Sequence, residues 1–84
     1  MAKRPNFKRA LARAIEPTGG PGAILGTLED AERFMGLMQP WRQARPYWDF
    51  AAELVLRAAQ SGRKTDIEAA TTQIECALWA DGWL

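Results

Sequence analysis

Histidine is missing from the 84 residues, and cysteine occurs once, at Cys76. The first absence removes the commonest general base and the usual zinc ligand, and the second excludes an internal disulfide framework. Nowhere is there an uninterrupted apolar run of about twenty residues, the length a helix needs to cross a bilayer. The charged N-terminus has no apolar segment behind it of the kind a secretory signal carries. These absences point to a soluble, cytoplasmic protein with no membrane segment, no metal and no cofactor, forming one domain over residues 1–84 and held by packing or by self-association.

Catalysis is poorly provided for. Cys76 follows Glu75 and has no cation close in sequence to lower its pKa, so it reads as a small packing residue. Asp49 and Glu53 stand four residues apart and read as solvated charges on a helix. The stretch "PTGGPG" lacks the Lys-Ser/Thr ending of a phosphate loop and reads as a turn. The expectation is a protein that is not an enzyme, with no catalytic, cofactor-binding or metal-ligating residues.

Acidic residues are also missing from one part of the chain. Residues 1–15 carry Lys3, Arg4, Lys8, Arg9 and Arg13 with no acid, a charge of +5, whereas residues 16–84 carry six basic and ten acidic residues, a charge of −4. Residues 1–6 read as a flexible basic arm, and the five cations as a set that could grip phosphate or an acidic surface.

"EPTGGPG", Glu16 to Gly22, separates this basic segment from the rest, since nothing regular passes through two prolines and three glycines. Before it, Phe7, Leu11 and Ile15 recur at helical spacing, whereas a strand would put Arg9 and Arg13 on the side of those apolar residues. A Gly/Pro turn followed by the short apolar run "AILG" also fits a hairpin. Both readings stand on the residues alone.

Three helices follow. Thr27, with Asp30 three residues on, makes an N-cap for a stripe of Leu28, Ala31, Phe34, Met35 and Met38 that Pro40 should stop. Pro46 suits the first position of a second helix running to Ser61, with Gly62 as its C-terminal cap. Its wide apolar arc, which includes Phe50 and Leu56, predicts the most buried helix. "TDIE", Thr65 to Glu68, matches a capping box and should open the third, with Ile67, Ala70, Ile74, Ala77 and Leu78 facing the core and Ala69, Cys76 and Ala80 opposite. Asp81 and Gly82 end it, leaving Trp83 and Leu84 as an apolar tail.

The succession "TLEDAERFMGLMQPW", "YWDFAAELVLRAAQSG", "TDIEAATTQIECAL" resembles a family of small bacterial proteins catalogued as a domain of unknown function. The resemblance covers about residues 22–80 and implies an α+β fold, a short N-terminal β-hairpin packed on a three-helix bundle. It tips residues 7–15 from helix to strand; the alternative is an all-α fold with an N-terminal helix.

Between the first two helices lies "QPWRQARPYW", rich in aromatics and arginine, the residue types that concentrate binding energy at interfaces. Trp41, Arg42, Arg45 and Tyr47, with the C-terminal Trp83, are the candidate protein-binding residues. In type, a small active-site-free domain also resembles phage or mobile-element inhibitors of host defence, anti-CRISPR proteins among them, which implies steric blocking of a CRISPR-Cas subunit. The alternative is a nucleic-acid-associated regulator that uses Lys3, Arg4, Lys8, Arg9 and Arg13. A homodimer, paired through the exposed strip of the third helix, is the remaining possibility.

Overall fold

The structure, a computed structural model, describes residues 4–84. An antiparallel hairpin, β1 (Ala10–Ile15) and β2 (Leu25–Thr27), leads into α1 (Leu28–Gly36), the single turn α2 (Pro40–Gln43), α3 (Pro46–Ser61) and α4 (Lys64–Ala80). The fold is α+β, with the hairpin packed on the helices. No helix among the described residues is long and apolar enough to cross a membrane.

Residues 10–15 form a strand despite their helical spacing. Leu11 and Ile15 are buried in the core, and the pairing with β2 is irregular between Ala10, opposite Thr27, and Ile15, opposite Leu25. Within that irregular stretch the Ala12 N–H donates to the hydroxyl of Thr71 on α4, 3.0 Å away, and that hydroxyl donates to the Ile67 carbonyl at 2.8 Å. Thr71 is fully buried, so its hydroxyl completes a hydrogen bond that neither strand nor helix could make alone.

The two arginines that made a strand look poor both find counterparts on the helices. Arg13 donates to Glu68 at 2.8 Å and to both carboxylate oxygens of Glu75, bridging β1 to the flank of α4. Those bonds, Glu75 first and Glu68 second, push its pKa up. Arg9 lies over Gly62, whose αL backbone (φ +66°) caps α3; a Cβ there would come within 2.5 Å of the guanidinium carbon. A cation at a helix C-terminus also faces the negative end of its dipole.

α1 begins where the sequence places it. Thr27 Oγ1 accepts from the Asp30 N–H, and Asp30 Oδ2 accepts from the Gly26 and Thr27 N–H groups at 2.8 and 3.1 Å. The free N–H groups of Leu28 and Glu29 donate to the Arg9 and Phe7 carbonyls, so the chain before β1 caps the helix with main-chain acceptors. The Gly26 amide is the chief cause that holds the Asp30 carboxyl below its ordinary pKa, against desolvation and with help from Thr27.

Several local expectations are corrected. α1 ends at Gly36 with Leu37 as its cap, before the proline expected to stop it, and Pro40 instead opens α2. α4 starts at Lys64 with Arg63 as N-cap and no side-chain cap bond, so "TDIE" lies inside the helix and makes no capping box. On α3, Trp48, Ala51, Leu54, Val55, Ala58 and Ala59 are buried, whereas Phe50 and Leu56 face outward. A wide apolar arc therefore did not mean burial all round. Asn6, assigned to a flexible arm, is tied to α3 through its N–H and the Ala59 carbonyl, 2.8 Å apart.

The buried Thr71 bridge predicts a measurable cost. Thr71→Val strands the Ala12 N–H and should lower the unfolding free energy by about 1–3 kcal/mol in urea denaturation. Thr71→Ser keeps the hydroxyl and should recover most of that loss.

Candidate functional site

α4 ends in a Schellman turn. The Gly82 N–H (φ +72° at Gly82) donates to the Trp79 carbonyl at 3.0 Å, and the Trp83 N–H donates to the Leu78 carbonyl at 2.7 Å. This turn fixes two side chains at once: it aims Asp81 inward and folds Trp83 back onto the body.

The Asp81 side chain is completely covered. Its Oδ2 accepts from the Trp48 indole N–H at 2.8 Å and pairs with Arg42 Nη1 at 2.8 Å. Its Oδ1 accepts from the Tyr47 hydroxyl and from Arg45 Nη1, the latter at 3.2 Å, while Arg45 Nη1 also donates to the Tyr47 oxygen at 2.8 Å. Desolvation is the largest single influence on the carboxyl and pushes its pKa up. The bonds from Trp48, Tyr47 and Arg42 together outweigh it and hold the group below its ordinary value.

Trp83 seals this cluster. Its ring packs edge-on to Phe34, with centroids 6.1 Å apart, and lies 6.4 Å from Trp48. The glycines of "EPTGGPG" make room for it: a Cβ on Gly20 would lie 2.7 Å from the indole, and one on Gly19 2.6 Å from it. The Thr18 N–H also donates to the Trp83 carbonyl at 2.7 Å. Trp83 is thus a half-buried roof on the core, a correction to its reading as part of an apolar tail.

Above this base sits a stack. The Arg42 guanidinium lies between two indoles, 4.7 Å from the Trp41 centroid and 4.5 Å from that of Trp83, and Arg45 approaches Trp41 at 5.2 Å. Trp41 is 55% exposed and neighbouring Leu37 68% exposed. An open groove of about 530 Å³ runs beside them, lined also by Pro21, Met38 and Trp83.

The five candidate protein-binding residues therefore come together, although Trp83 is 36 or more residues from the rest in sequence. Sequence reasoning missed Asp81, which joins them, and Leu37. For Asp81 the available signal was an Asp-Gly pair at a helix end, which read only as a stop. The basic candidates do not come together in the same way. Arg4, Lys8 and Arg9 are exposed, Arg9 with its guanidinium over Gly62, Arg13 is paired with Glu68 and Glu75 on α4, and Lys3 lies outside the described residues.

A second apolar hollow of about 310 Å³ lies on the outer face of α4, between Thr72, Cys76, Trp79 and Leu84. Trp79 is the most exposed large apolar residue described, and Cys76 is exposed beside it. Among the described residues, no three His, Cys, Asp or Glu side chains gather where they could hold a metal ion. No family model, curated protein or solved structure matches the chain.

Two outcomes follow from the Asp81 cluster. Asp81→Ala leaves the Trp48 N–H and the Tyr47 hydroxyl without their acceptor and should cost about 3 kcal/mol by denaturant unfolding. The second concerns pH: a carboxyl held below its unfolded pKa of about 3.9 gives stability that is complete above about pH 5 and is lost as pH falls through the folded value. Asp81→Asn removes that share, so the stability gap between wild type and variant should narrow as pH falls from about 6 to about 3. A gap that stays constant would mean the carboxyl is not selectively held ionised.

Proposed function

We infer that the protein is a non-enzymatic binding module that acts by occupying a surface on another protein. One observation carries this reading: an exposed tryptophan is held beside two arginines whose positions are fixed by a buried carboxylate. Trp and Arg dominate interface energetics, and groups immobilised before binding lose little entropy when a partner arrives.

A module of this kind works sterically, by covering what its partner needs to expose. The resemblance in type to phage and mobile-element inhibitors makes a CRISPR-Cas subunit the first partner to test. Nucleic acid is the weaker reading. A strand-binding protein needs a continuous cationic track, and here Arg9 and Arg13 are turned to α3 and α4. A homodimer, the remaining reading, would use the hollow around Trp79 and would show as a melting temperature that rises with protein concentration.

The test compares wild type with Trp41→Ala and Trp79→Ala against purified CRISPR-Cas complexes and nuclease-treated bacterial lysate. A defined protein should be retained by wild type and Trp79→Ala, with a loss of at least about tenfold in affinity for Trp41→Ala at unchanged melting temperature. Retention that survives Trp41→Ala, or that disappears with nuclease, contradicts the reading.

A further inference from the structure

Charge at the Trp41 platform is unbalanced. Two guanidiniums, Arg42 and Arg45, converge on the single carboxylate of Asp81, and that carboxylate is also occupied by Trp48 and Tyr47. Among the described residues Asp81 is the only acid paired with either arginine. Each arginine uses Nη1 for this pairing, and each fork has further N–H donors in its plane. Arg45 is 43% exposed and Arg42 22% exposed, so both remain reachable.

The stacking matters as much as the charge. The Arg42 guanidinium lies against both indoles, and the N–H groups it does not give to Asp81 can donate to a further carboxylate. Its rotamer is already fixed, so closing that pair costs little side-chain entropy. Beside it the groove is lined mostly by apolar side chains, Pro21, Leu37 and Trp83, with Gln39 also at its wall.

We propose that the groove beside Trp41 receives an acidic segment of the partner protein, with a carboxylate at Arg42 in the groove wall, Arg45 adding positive charge beside Trp41, and an adjacent apolar side chain lying against Leu37 and Trp41. This rests on the reading of the platform as a protein-binding surface and names the chemistry of what it binds. Nucleic acid fits less well, because the platform offers one exposed ring and two cations rather than a continuous cationic track. An acidic peptide needs only the two cations and the wall.

The chain's four tryptophans allow a direct test, because each indole N–H gives its own signal in a ¹H–¹⁵N spectrum. The full-length protein is titrated with a blocked Glu-Glu-Phe-Glu-Glu peptide, its Gln-for-Glu counterpart, and a ten-nucleotide oligothymidylate. The acidic peptide should move the Trp41 and Trp83 signals saturably and leave Trp79 unmoved. It should bind about fivefold more tightly than the neutral peptide, a margin that Arg45→Gln reduces and added salt erodes.

Equal binding of the two peptides, or movement confined to Trp79, overturns the proposal. Tighter binding of the oligonucleotide at the same signals overturns it in favour of nucleic acid. The broader reading is checked separately: where a protein partner is lost with Trp41→Ala but is not displaced by the acidic peptide, the surface stands and its assigned chemistry fails. A partner that is unaffected by Trp41→Ala removes both.

Discussion

The carboxylate of Asp81 is the interaction on which the rest of the structure depends. An ionised group taken fully out of water is tolerable only when each oxygen is matched, and here every match comes from the stretch of residues 42–48, more than thirty residues before it. Arg42 is supplied by α2, Arg45 by the loop after it, and Tyr47 and Trp48 by the first turn of α3, while Asp81 caps α4. One side chain thus fixes the end of α4, the start of α3 and the stretch between α1 and α3. An apolar residue at the same point could fill the space but would impose no direction on the arginines.

The opposite side of the molecule is held by smaller devices. Thr71 binds β1 to α4 from within, Arg13 does so from outside, and main-chain carbonyls before β1 cap α1. The exposed Arg13 pairs are screened by solvent and add little stability, serving mainly to hold β1 against α4. This division suits a short chain. Its core is one small cluster in which the hairpin adds only Leu11, Ile15 and Leu25 to the helices, and directional polar contacts supply the uniqueness that a small apolar core leaves open.

What could be read from the sequence follows the range of the interaction. The Thr27 cap, Pro46 at the first turn of α3 and Gly62 at its end are local devices, and each lies where residue type alone placed it. "TDIE" failed because the helix had already begun at Lys64, one residue before the threonine expected to cap it. Residues 7–15 were ambiguous because Arg13 finds its acids and Arg9 its helix end only in three dimensions. The platform was half legible: composition singled out Trp41, Arg42, Arg45 and Tyr47, but nothing near them in sequence indicated a carboxylate more than thirty residues away. The double glycine was read as a turn, and the need to admit Trp83 came into view only with the tertiary packing.

The central claim is that Trp48 and Asp81 share a buried hydrogen bond that organises the platform above it. Its most direct test is the exchange rate of the four indole N–H groups with deuterated solvent in the native protein. The Trp48 N–H should exchange only when the whole molecule unfolds, at a rate that tracks global stability as denaturant is added, whereas the exposed Trp79 N–H exchanges at once. Rapid exchange at Trp48, at a rate independent of global stability, would mean that the carboxylate is not closed over and that the arginines above it are not held in place.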